Sequence, residues 1–168
     1  MVELALFIIF PALMAYAAAS DLLTMTIPNQ VSLALVISFA VFATGSGLSW
    51  EAVALHVAAG GLVLTVAFAL FAFGWIGGGD AKLAAATALW LGFNTLMEYL
   101  LISTVAGGLL TLAILSLRGW PLPLFALRWT WLSRLHDRSS GVPYGIALAG
   151  AALVVYPHSP IWSGILGF

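Results

Sequence analysis

The sequence predicts an all-α, polytopic membrane protein: a bundle of about six transmembrane helices making one domain over residues 1–168. Three observations carry this. The chain of 168 residues is 63% hydrophobic and 7% charged. Its mean hydropathy is +1.14. Its apolar stretches approach the roughly 20 residues needed to cross a bilayer core, and breakers or short polar clusters separate them. A soluble domain carries about 25% charged residues, and so few charges cannot coat a globule of this size.

The elements follow in order. Helix 1 is expected from about Val2 to Ser20, closing at Asp21. Residues 2–20 lack a basic leading region, so they read as a membrane helix and not as a cleaved signal. Pro28 suits the first turn of helix 2, where its missing N–H is no loss; that helix runs over about Val31–Ala43 and stops at Thr44-Gly45-Ser46-Gly47. Helix 3 covers about Ala52–Phe73 and gives way to Gly74-Trp75-Ile76-Gly77-Gly78-Gly79. Helix 4 is short, about Ala81–Leu91, and helix 5 is about Met97–Leu117. Residues 118–140 form the one polar loop, and helix 6 is about Tyr144–Tyr156. No soluble domain and no internal repeat are visible.

Basic residues orient the bundle. Arg118, Arg128, Arg134 and Arg138 lie in the 5–6 loop and Lys82 follows the glycine run, whereas Glu3, Glu51 and Glu98 occupy the other side. The positive-inside rule makes the basic side cytoplasmic and both termini external. Asp21 and Asp80 then share the cytoplasmic face. With Trp120, Trp129 and Trp131, the basic loop reads as an anchor on anionic membrane lipid. The net charge of −1 leaves no footprint for nucleic acid.

The acids are the informative residues. A carboxylate in a membrane helix is costly and is kept for a reason. Asp80 opens a helix, where an acid caps free N–H groups and meets the positive dipole end. Asp21 closes one, where the dipole opposes an anion, so capping does not explain it. Gly77-Gly78-Gly79 strips side chains from the backbone beside Asp80, and irregular backbone at membrane depth survives only against protein or a wet cavity. Two carboxylates facing one crevice cannot both ionise easily, so they share a proton. The charged one then acts as base on a water while the protonated one polarises a scissile carbonyl, with no metal or other cofactor. Without cysteine there is no thiol nucleophile, and His56, His136 and His158 fall on different parts of the fold; His56 reads as a packing residue. The same acids also suit a small ion- or proton-coupled transporter, and a structural part in a secretion assembly is a third reading.

These residues resemble a known family. Ser20-Asp21 followed by Ile27-Pro28-Asn29, and then Gly77-Gly78-Gly79-Asp80-Ala81-Lys82-Leu83, look like the two signature segments of type IV prepilin peptidases, of the GxGD class of intramembrane aspartic proteases. Val142-Pro143-Tyr144-Gly145-Ile146-Ala147 resembles the start of that family's last helix. The resemblance implies Asp21 and Asp80 as the catalytic pair, supported by Gly77, Gly78, Gly79, Lys82, Pro28 and Asn29. It implies prepilin or pseudopilin substrates, cut at the cytoplasmic face of their hydrophobic helix after a short basic leader. Without cysteines or room for the methyltransferase domain of larger members, the chain resembles the short, peptidase-only branch serving Flp-type pili. It departs from the pattern between Asp21 and Ile27, where Leu22-Leu23-Thr24-Met25-Thr26 holds no basic residue.

Overall fold

The computed structural model describes residues 2–123 and 128–166. Among these, every regular element is helical: α1 (Val2–Thr24), α2 (Asn29–Gly45), α3 (Trp50–Ala72), α4 (Gly78–Leu117), α5 (Thr130–His136), α6 (Gly145–Val155), a 3-10 turn (Tyr156–His158) and α7 (Pro160–Leu166). The all-α expectation holds. α3 and α4 are each long and apolar enough to cross a membrane, and shorter apolar helices occupy Ile8–Thr24, Asn29–Gly45 and Gly145–His158. Large apolar side chains such as Leu33, Ile37, Leu62, Phe68, Leu101 and Leu109 are exposed around the bundle, the surface an apolar solvent requires.

α4 is one element only nominally. Straight, its 40 residues would reach about 60 Å, twice a bilayer core. Gly92 breaks it with φ +63° and ψ −179°, a conformation glycine adopts without penalty. The chain folds back there, because Thr111 near the end of α4 lines the same cavity as Asp80 near its start. The two expected helices, 4 and 5, are thus the arms of a hairpin, 78–91 and 93–117. A ring of contacts stabilises the bend. His56 of α3 lies against Gly92, and its Nδ1 donates to the Leu89 carbonyl at 2.8 Å. His56 is therefore a packing residue that satisfies backbone next to a helix break.

The core is built where α1, α2, the 78–91 arm and α6 meet. Trp90 is fully buried, donates from Nε1 to the Leu35 carbonyl at 2.8 Å, and packs among Phe10, Phe39, Phe42 and Tyr156. Close approach is set by small residues. A Cβ on Gly60 would stand 3.1 Å from the Leu89 Cβ, and the ring of Tyr144 lies directly on Gly107. Gly61 and Gly108 face open space, so only one glycine of each pair serves packing.

Several boundaries differ from expectation. α1 runs on to Thr24, which puts Asp21 in its last turn and not beyond its end. α2 starts at Asn29, so Pro28 stands at the N-cap position, without a capping side-chain bond, and not in the first turn. The 118–140 loop contains α5, and its residues 124–127 lie outside those described.

Candidate active site

Asp21 is 5% exposed, and its Oδ2 accepts a 2.7 Å hydrogen bond from the backbone N–H of Gly145, the first residue of α6. An anion in the last turn of α1 meets the wrong end of its own helix dipole. The free amides at the start of α6 compensate across the bundle. A Cβ at position 145 would come within 2.8 Å of Asp21 Oδ2, so only glycine brings the backbone this close.

Asp80 is the third residue of α4, counted from the N-cap Gly77. Its carboxylate lies back against Gly77, at a helix start whose free N–H groups and dipole favour an anion. A Cβ at position 77 would stand 2.7 Å from Asp80 Oδ2. The three glycines lie in ordinary backbone: Gly77 is extended with φ −72°, Gly78 and Gly79 open the helix, and the positive φ falls earlier, at Gly74. Gly78 underlies the Phe71 ring and Gly79 faces Ile27. What the run provides is proximity.

Both acids line one cavity of about 670 Å³, with Gly77, Met25, Trp75, Ile76, Thr111, Gly141, Val142 and Tyr144. Ile27 holds the two helix ends together: its Cβ would be 3.2 Å from a Cβ on Gly79, and its Cδ1 2.7 Å from one on Gly145. The turn delivering Ile27 is tight. Met25 has φ +57°, unusual without glycine, while Ser20 Oγ donates to the Thr26 carbonyl at 2.9 Å and Thr24 Oγ1 to the Ser20 carbonyl at 2.7 Å.

Lys82 and Asn29 stand elsewhere. Two residues past Asp80, Lys82 points off another face of α4, and its Nζ donates to Asn29 Oδ1 at 2.9 Å. Both line a separate groove of about 780 Å³ between α2, α3 and the 78–91 arm, floored by Gly60, Gly61, Ala85 and Ala86. Pro28 lines neither space.

The basic loop folds back beside the acids. Arg118 is buried, donating from Nε to the Leu135 carbonyl and from Nη2 to the Gly141 carbonyl, both at 2.8 Å. Arg134 Nη1 reaches the Leu23 carbonyl at 3.3 Å. Asp137 is held below the usual carboxylate range, mainly by the Ser139 amide and hydroxyl and further by the charge of Arg118. Sequence reasoning placed Arg118 with the lipid-facing arginines. No local signal distinguishes it, because its partners are backbone carbonyls far along the chain. Gly145 and Ile27 were legible only as parts of motifs.

Fold and cavity together define a helical membrane protein with a pair of carboxylates on one internal space. The family model for the type IV leader peptidase family matches residues 8–112, a span that includes Asp21 and Asp80, and the chain belongs to that family. It is an aspartic-type endopeptidase acting on prepilins. No curated protein and no solved structure matches it.

Proposed function

We propose that this chain cleaves the leader peptide of Flp-type prepilins or pseudopilins at the cytoplasmic face of the bacterial inner membrane, with Asp21 and Asp80 dividing between them the roles of general base on water and general acid on the scissile carbonyl. The observation that carries this reading is that two acids remote in sequence line one cavity, each beside the free amides of a helix start. One carboxylate takes the proton of the attacking water while the other, protonated, donates to the carbonyl oxygen. As the tetrahedral intermediate collapses, a proton passes to the leaving amine and the pair is reset. The polypeptide supplies every group needed, and Gly77, Gly78, Gly79 and Ile27 act by holding the pair.

The sidedness of the reading rests on charge. Arg118 and Arg134 lie at the acid end of the bundle, and the positive-inside rule assigns that end to the cytoplasm. Six apolar segments, counting the two arms of α4, then make a multi-pass protein with external termini. Lys82 and Asn29 support the reaction by tying α4 to α2 and not by contact with substrate.

The test is co-expression with a Flp-type prepilin, scored by gel shift and mass spectrometry. Wild type should release the leader, and Asp21→Asn and Asp80→Asn should each leave the prepilin intact at normal membrane levels. Cleavage by both variants would instead favour the ion-coupled reading of the same acids.

A further inference from the structure

We infer that Arg118 is a positioning residue for Asp21, acting through the 135–145 segment; the inference rests on the function proposed above.

The chain of contacts is short and continuous. Arg118 ends α4 as its C-cap residue and is 8% exposed. A buried guanidinium is expensive unless its donors are met, and here two of them are: Nε holds the Leu135 carbonyl and Nη2 the Gly141 carbonyl, each at 2.8 Å. Gly141 and Val142 form a wall of the acid cavity. Four residues beyond Gly141, the Gly145 amide donates to Asp21 Oδ2 at 2.7 Å. Between them the Tyr144 ring lies on Gly107, so the segment is held to α4 at two points, by a fork of hydrogen bonds and by a ring seated on a glycine.

This arrangement explains why an arginine is spent there. A loop crossing the end of a bundle has no ladder of its own, and its carbonyls otherwise turn to water. The planar guanidinium reaches two carbonyls in one fixed geometry, which the ammonium of lysine does not reproduce. With the fork in place, α6 starts where its first amide meets the Asp21 carboxylate. Without it, the segment between Leu135 and Gly141 is released at one end of the cavity, and the Gly145 amide loses its register on Asp21. The other walls of the acid cavity, Trp75, Ile76 and Met25, belong to other segments and stay in place.

The experiment uses the full chain in proteoliposomes with a synthetic prepilin leader peptide. Arg118→Ala should lower kcat on the order of 10²-fold, the scale of a 1 Å misplacement, with KM unchanged. Arg118→Lys should recover only part of that loss. Wild-type kcat in Arg118→Ala, full recovery with lysine, or a loss carried wholly by KM would each overturn the inference. The chain has no cysteine, so Val142→Cys provides a readout independent of cleavage. Its labelling by a membrane-permeant thiol reagent should speed up when Arg118→Ala is added; an unchanged rate refutes the strut even where kcat falls. Asp21→Asn and Asp80→Asn run on the same peptide separate the two claims. If both still cleave, the proposed dyad fails, while the labelling rate still reports on Arg118.

Discussion

The backbone amide of Gly145 donates to Asp21 Oδ2 at 2.7 Å across 124 residues of chain. It joins the last turn of α1 to the first of α6, and it turns an acid unfavourably placed on its own helix into one favourably placed on another.

Gly145→Ala tests that contact. The new Cβ would sit 2.8 Å from Asp21 Oδ2 and 2.7 Å from Ile27 Cδ1, and the neighbours must move. Leader cleavage should fall sharply and stability by about 1–3 kcal/mol, as in other overpacked sites. A cleavage assay beside a thermal-shift measurement reads both; unchanged values for both would mean that α6 slides freely.

Asp21→Asn and Asp80→Asn should each reduce cleavage by at least about 10²-fold, since general acid–base groups contribute 10²–10⁴-fold. Because one acid must be charged and the other protonated, the wild-type rate should rise and fall with pH on two limbs that belong to the pair. A flat profile would show that the two do not divide the roles.

His56→Ala separates structure from chemistry. It leaves the buried Leu89 carbonyl without the donor now 2.8 Å away, a loss of about 1–3 kcal/mol. Melting temperature should drop, and the folded fraction should cleave at the wild-type rate. A protein of normal stability that no longer cleaves would instead give His56 a part in the reaction.

Lys82→Ala removes the 2.9 Å bond to Asn29, worth about 0.5–1.5 kcal/mol in stability. Its effect on kcat should be far smaller than that of Asp80→Asn, because Lys82 opens onto the α2–α3 groove and not onto the acid cavity. An equal loss of kcat would bring Lys82 into the reaction.

Gly60 and Gly61 form an internal control. Gly60→Ala puts a Cβ 3.1 Å from the Leu89 Cβ and 3.2 Å from the Ala85 carbonyl, whereas Gly61→Ala meets nothing within 4 Å. The first should destabilise, by about 1–3 kcal/mol. The second should be neutral or stabilising by up to about 1 kcal/mol, since alanine favours helix over glycine. Thermal unfolding in detergent micelles ranks the two; the reverse order would mean that α3 is rotated from the position described.

The sequence by itself determined the class of fold and the two acids. Hydropathy and breakers depend on neighbouring residues, so the apolar segments, the Gly77-Gly78-Gly79 run and the lone carboxylates at helix ends could be read without coordinates. The readings that changed depend on how each helix is turned about its axis. Two residues along α4 are enough to aim Lys82 and Asp80 into different spaces. The two expected helices, 4 and 5, stand, and tertiary structure adds that Gly92 reverses the chain between them and brings Thr111 back beside Asp80. Arg118 looks like any interfacial arginine until its fork is seen on the Leu135 and Gly141 carbonyls. Backbone amides and carbonyls are the same at every position, so sequence carries no mark of which will meet a distant side chain. Only tertiary packing decided that Gly145 supplies the amide and Asp21 receives it.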